Sequence, residues 1–158
     1  MATEIERKFL VSGAGWRSGA EAAAIRQGYL TTTKTLSVRV RTFGEQAFLT
    51  IKGAMRGLTR AEYEYAIPVA DANELLDTLC HGGLIEKTRY TLMYAGHEWV
   101  VDEFAGDNAG LTVAEVELAD ENESVDLPPW IGEEVTRDPR YLNANLVLAP
   151  FRSWAAAR

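Results

Sequence analysis

Charged side chains recur in pairs at alternate positions of this chain: Glu4 and Glu6 with Lys8 beyond them, Arg39 and Arg41, Glu62 and Glu64, Lys87 and Arg89, Glu115 and Glu117. A spacing of two is the period of a β-strand, so each pair projects from one face of its strand. Lys52 follows the same alternation in Ala47 to Lys52. The carboxylates Glu4, Glu6, Glu62, Glu64, Glu115 and Glu117 thus share a face with the cations Lys8, Arg39, Arg41, Lys52, Lys87 and Arg89. A dry interior would lose on the order of several kcal/mol for each poorly paired ion. The face therefore requires water or a highly charged ligand. Clustered carboxylates are hard oxygen donors suited to Mg²⁺ or Mn²⁺, whereas clustered Arg and Lys suit phosphate oxygens. A polyphosphate chelated by a divalent cation satisfies both, with acids on one wall of a wet cavity and bases on another.

The elements that must position these residues read mostly as strands. Glu4 to Val11 alternates charged and apolar residues, and Ser12 to Gly15 breaks it. Ala-rich Trp16 to Ile25 predicts a short helix, followed by a strand over Arg26 to Thr32. Leu36 to Phe43 and Ala47 to Lys52 predict a hairpin across Gly44-Glu45, and Arg60 to Ile67 a further strand. Asp71, with Glu74 three residues on, predicts an N-cap for a helix over Ala72 to Cys80 that turns Leu75, Leu76 and Leu79 inward and stops at His81-Gly82-Gly83. Ile85 to Tyr94, His97 to Phe104 and Leu111 to Leu118 predict three more strands. After the acidic loop Asp120 to Asp126, rigid Pro128-Pro129 presents Trp130 for packing, and Tyr141 to Trp154 is mostly helical until Pro150. About eight strands with three or four helices predict an α+β fold: an eight-stranded antiparallel β-barrel, its interior a charged tunnel, its helices outside.

With 158 residues the chain predicts one domain over 1–158. Its net charge of -7 gives no general electrostatic reason to bind nucleic acid or an anionic membrane surface, so any bound anion needs a local concentration of cations. No apolar run is long enough to span a bilayer, and Cys80 is the single cysteine. The acidic beginning does not read as a signal peptide, which makes cytoplasmic location the default. A homodimer is left open. Single residues have plainer readings. Arg7 and Glu103 have the parity of surface charges, His81 and His97 lack partners at metal spacing, and Cys80 ends an apolar helix face as a small core residue. Tyr63, Tyr65, Tyr90 and Trp99 read as barrel packing.

Glu4-x-Glu6-x-Lys8, Arg39-x-Arg41, Lys52-Gly53, Glu62-x-Glu64, Lys87-x-Arg89, Asp102-x-Phe104, Glu115-x-Glu117 and the tail from Gly132-Glu133-Glu134-Val135-Thr136 to Tyr141-x-Asn143 occur in an order that resembles the CYTH superfamily, the triphosphate tunnel metalloenzymes. The resemblance runs from Glu4 to about Leu146. It implies an eight-stranded tunnel that binds triphosphates with Mg²⁺ or Mn²⁺, and the short form is most similar to the bacterial branch active on inorganic triphosphate. One departure is visible: Leu142 and Ala144 stand where related bacterial chains often carry lysines.

On that resemblance Lys8, Arg39, Arg41, Lys52, Lys87 and Arg89 are expected to grip phosphates, and Glu4, Glu6, Glu115 and Glu117 to hold one or two cations. Glu4 and Glu117 would thereby help aim an activated water at the terminal phosphorus. Lys87, its pKa depressed by neighbouring cations, is expected to protonate the leaving pyrophosphate. Glu62, Glu64 and Asp102 are expected to support these groups. Hydrolysis of inorganic triphosphate to pyrophosphate and phosphate is the leading reading. A thiamine or nucleoside triphosphatase or a class IV adenylyl cyclase is the second, although nothing marks a purine pocket. The third is a module that binds polyphosphate without cleaving it, against which the glutamates argue, because anion capture needs only the basic half.

Overall fold

The computed structural model describes residues 3–156. The outermost residues of the expected 1–158 domain lie outside that range. Nine strands appear in chain order: β1 (Thr3–Val11), β2 (Glu21–Thr32), β3 (Leu36–Phe43), β4 (Gln46–Gly53), β5 (Thr59–Ala66), β6 (His81–Tyr94), β7 (His97–Phe104), β8 (Thr112–Glu117) and β9 (Ile131–Glu134). The helices are α1 (Val69–Thr78), α2 (Asn143–Leu148) and α3 (Phe151–Ala156), with 3-10 turns at Gly15–Arg17, Gly106–Asn108 and Pro139–Tyr141.

Strands β5-β4-β3-β2-β6-β7-β8-β1 pair antiparallel in that order, and β1 returns to β5, closing an eight-stranded barrel. Phe9 of β1 faces both Ala114 of β8 and Glu134 of β9, so these two neighbours lie on opposite edges of β1. β9 thus takes the part of that edge that β5 leaves uncovered beyond Ile5. The ninth strand is absent from the sequence expectation because four residues of Ile-Gly-Glu-Glu carry no alternation of their own.

The hydrophobic core lies on the outward face of the barrel. Phe9, Trp99, Val101, Ala114 and Val116 form one cluster with Trp16 and Trp130, the last set edge-on to Trp99 at 5.9 Å as the Pro-Pro-Trp segment predicts. Ile85, Phe104, Val113, Tyr141 and Leu146 form a second beneath α2 and α3. Val40 and Ala47 meet Ala72 and Leu76 of α1 in a third. Each fully buried large side chain contributes about 1.5–3 kcal/mol. With the apolar faces turned outward under these covers, the alternate residues of every strand must point into the barrel.

Several sequence expectations are corrected. Trp16 to Ile25 is not helical: Trp16 sits in a 3-10 turn, and β2 begins at Glu21, with Ala22 to Ala24 paired to Tyr90, Arg89 and Thr88 of β6. The ladder to β6 outweighs the intrinsic helix preference of these alanines, and β3 joins on the other edge from Ile25 onward. α1 starts at Val69 behind Pro68, so Asp71 lies in the first turn and does not cap it. Leu79 follows the helix and is 59% exposed. His81-Gly82-Gly83 opens β6. A Cβ on Gly82, at φ +71°, would stand 2.9 Å from Val147 Cγ1, so glycine there permits the close approach of α2. Tyr63 and Tyr65 are not packed: they are 37% and 57% exposed on the outside of β5.

A charged tunnel as candidate active site

The lumen encloses about 850 Å³, within the range of ligand sites, and is lined by all the paired charges named above. Register explains why. In antiparallel ladders directly opposed residues share a face, and Glu6 opposes Glu117, Lys8 opposes Glu115, Lys52 opposes Glu62, and Arg89 opposes Asp102. Arg7 and Glu103 have the other parity and pair outside with Glu134 and Arg17. His97 Nε2 lies 2.5 Å from Glu123 Oε2 outside the lumen, a single contact and no metal cluster among the described residues. Cys80 carries a free, half-buried thiol.

Acids and bases are interleaved around the lumen, not segregated onto two walls. Lys52 Nζ lies 2.8 Å from Glu4 Oε1 and 3.3 Å from Glu62 Oε2. Glu64 Oε2 is 3.5 Å from both Arg39 and Arg41 and accepts a hydrogen bond from Thr50 at 2.9 Å. Lys8 Nζ stands 3.5 Å from Glu115 and donates to the Tyr141 carbonyl at 3.1 Å. Asp102 receives both Nε and Nη2 of Arg89 at 2.8 Å, and Lys87 Nζ also at 2.8 Å. Lys87 further donates to Asn143 Oδ1 at 3.0 Å. The tail therefore supplies oxygen acceptors to two lumen lysines, one from the 3-10 turn at Tyr141 and one from Asn143 at the start of α2, with the apolar Leu142 and Ala144 beside them.

Arg60 is a lumen residue that the paired pattern did not single out. Its Nε donates to Glu4 Oε1 at 2.8 Å. The signal was present, because Arg60, Glu62 and Glu64 continue one alternation, but a lone cation at the start of a strand resembles a turn residue. Glu98, two positions into β7, lines the cavity in the same way.

Two kinds of electrostatic need are left unmet. On the acidic side, burial and the charges of Glu115 and Glu4 raise the Glu6 carboxyl to about 7. Burial, with Glu4 and Glu98 adding to it, also raises Glu117. Glu4 is pulled the other way: burial would raise it, but the Lys52 charge and hydrogen bonding with Glu62, Lys52 and Arg60 bring it to about 2. On the basic side, burial first, then Arg39 and Arg89, lowers Arg41 to about 10. Burial is also the larger cause for Lys87, lowered to about 8 with Arg89 assisting, so neighbouring cations are the lesser influence there. Among the described residues the buried Nε atoms of Arg39 and Arg41 have no hydrogen-bond partner. Asp102, despite its burial, is held well below the ordinary carboxylate range by Arg89 and Lys87.

Among the described residues Glu6 and Glu117 thus have no ion-pair partner, whereas Arg39 and Arg41 share the one carboxylate of Glu64 and Lys87 shares Asp102 with Arg89, so the cations are only partly neutralised. No three acidic, His or Cys side chains among the described residues form a ready metal cage. That suits Mg²⁺ or Mn²⁺ arriving with phosphate, since Mg²⁺ is held by one or two carboxylates, waters and phosphate oxygens, not by an all-protein cage. The oxygen-only donors of Glu4, Glu6, Glu115 and Glu117 fit that chemistry.

Comparison with known proteins agrees with the tunnel. The CYTH domain family matches residues 2–148. An inorganic triphosphatase of Acetivibrio thermocellus is 52% identical over 154 residues, covering 98% of this chain and 99% of the relative. One of Nitrosomonas europaea is 43% identical over 152 residues, covering 93% and 98%. A crystal structure of an inorganic triphosphatase superposes with a TM-score of 0.68 at 39% identity, covering 91% of this chain and 97% of the other.

Proposed function

The chain belongs to the CYTH domain family, and from that premise we propose that it is an inorganic triphosphatase that uses Mg²⁺ or Mn²⁺, releasing pyrophosphate and phosphate. The observation that carries this reading is a double shortfall inside one cavity: carboxyls raised by burial and by one another, which call for a cation, beside guanidinium and ammonium groups lowered by burial and by neighbouring cations, which call for more negative charge than their shared carboxylates supply. A metal-chelated triphosphate supplies both charges. Relatives that cover nearly their whole length with this chain are inorganic triphosphatases, which supports the choice of substrate. The 1–158 span is read as one such domain, and no helix among the described residues is long and apolar enough to cross a membrane.

The residues divide the work. Arg39, Arg41, Lys52, Lys8 and Arg89 would grip phosphate oxygens, with Arg60 beside them. Their orientation is fixed in advance by Glu62, Glu64 and Asp102, which lowers the reorganisation needed when charge shifts in the transition state. Glu4, Glu6, Glu115 and Glu117 would hold the divalent ion, which when bound neutralises phosphate charge and acidifies a water. Lys87 is protonated below about pH 8 and would give its proton to the departing pyrophosphate oxygen. Asp102 keeps it in place until substrate phosphate competes for the ammonium.

Phosphate release from tripolyphosphate, ATP and thiamine triphosphate, measured in parallel with each metal and without metal, tests the reading. Preferred, metal-dependent cleavage of tripolyphosphate supports it. Cyclic AMP from ATP, or binding without release, would replace it with a cyclase or a capture module.

A further inference from the structure

The barrel closes on a weak joint. β1 pairs with β5 at three positions, Thr3 with Ala61, Glu4 with Arg60 and Ile5 with Thr59, whereas β3 and β4 share eight. The middle pair of that short ladder is Glu4 with Arg60, the corner where both Lys52 and Arg60 hold the Glu4 carboxylate at 2.8 Å. The loop entering β5 carries Ala54 and Met55 into the lumen wall. It ends in a tight turn in which Arg56 and Thr59 exchange backbone hydrogen bonds of 2.7 and 3.1 Å.

Glu121 fastens this turn from outside. Its Oε1 accepts from the Leu58 amide at 3.0 Å and from the Thr59 hydroxyl at 3.2 Å. Glu121 belongs to the loop after β8, on the opposite side of β1, where the Leu118 amide donates to the Ile5 carbonyl at 2.7 Å. The carboxylate therefore reaches across β1 and joins its two neighbours. Gly57, at φ +65°, completes the fit: a Cβ there would lie 2.9 Å from Glu121 Oε1. Glu123 anchors the same loop through the Ala119 amide at 2.6 Å and His97 at 2.5 Å, so Glu121 is presented from a tethered segment.

We propose that Glu121, which does not line the lumen, is a positioning residue: it clamps the β1–β5 joint and so holds the Arg60–Glu4–Lys52 corner in register for substrate and cation. The inference rests on the reading of the tunnel as a triphosphate site. Both donors to Glu121 are an N–H and an O–H, which a glutamine oxygen also accepts. Glu121→Gln should therefore keep the clamp, and Glu121→Ala should lose it.

Three readouts test this on the full chain: hydrogen exchange at residues 58–61, Mn²⁺ affinity without substrate, and the separate KM and kcat for tripolyphosphate. Loss of the acceptor of two hydrogen bonds predicts for Glu121→Ala about fivefold to tenfold weaker Mn²⁺ binding and higher KM, with kcat within about twofold. Exchange should be faster at 58–61, and Glu121→Gln should restore all three. Thr59→Val, which deletes one of the two donors at constant shape, should give a smaller shift of the same sign and serves if Glu121→Ala does not fold. Wild-type exchange, Mn²⁺ affinity and KM in Glu121→Ala or Thr59→Val, or a glutamine variant as impaired as alanine, would overturn the proposal. A wild-type chain that binds neither Mn²⁺ nor tripolyphosphate would instead overturn the tunnel reading, while exchange at 58–61 still reports on the clamp.

Discussion

Replacing Glu6 by glutamine should flatten the pH dependence of stability in the metal-free protein. The Glu6 carboxyl titrates near 7 in the folded chain, raised by burial and by Glu115 and Glu4, against an ordinary value of 4.5. A carboxyl raised by folding binds its proton more tightly in the native state, so native stability is undiminished below about pH 4.5 and falls as pH rises toward 7. The gap corresponds to about 3 kcal/mol, an upper bound because Glu6 is only partly shielded from water. For a chain of this size that is at most about 6–12 °C in Tm. Glu6, Glu4 and Glu115 titrate together, so the prediction concerns one proton shared by the cluster. Thermal or urea unfolding in EDTA between pH 5 and 8 measures it. The wild type should lose stability across this window, and Glu6→Gln should lose up to about 1.4 kcal/mol less per pH unit. Mn²⁺ should stabilise the wild type more at pH 8 than at pH 5, because it replaces the proton. Identical slopes for the two proteins between pH 5 and 7 would refute the crowding of carboxylates inferred here.

Other perturbations separate the remaining roles. Glu117→Gln should abolish metal-dependent phosphate release while circular dichroism and the unfolding midpoint stay near wild type. Lys87→Met should lower kcat for tripolyphosphate by about 10²–10⁴-fold, and wild-type kcat should decline above about pH 8 as Lys87 loses its proton. Asp102→Asn strips the shared partner from Arg89 and Lys87 and should cost about 3–5 kcal/mol in denaturant unfolding, together with activity. Trp99→Ala, emptying a fully buried site against Phe9 and Trp130, should cost about 3–5 kcal/mol without changing which metal is used.

What could be read without coordinates was whatever obeys strand parity. The positions of Glu4, Glu6 and Lys8, or of Lys87 and Arg89, follow from a period of two once their strands are recognised, and β7 matches its expected bounds His97–Phe104. Residues whose place depends on a distant partner were not legible. Ala22 to Ala24 extend because β6 lies alongside them, which no local preference encodes. Arg60 matters because the closing joint sets it against Glu4, and the cation–acid alternation around the lumen depends on register between strands, not along them. Tyr63 and Tyr65 have core chemistry but no cover outside β5, and coverage is a property of the other elements.

β1 is sandwiched between neighbours from remote parts of the chain: β5 and β9 along one edge and β8 along the other. It precedes all three partners in the chain, and its final pairing waits for Glu134. Until then a segment carrying three of the tunnel's charges has a bare edge, and a slip of one residue would turn Glu4, Glu6 and Lys8 outward. The slow step of folding should therefore be the seating of β1, and the charged lumen exists only once β5 and β8 have both paired with it.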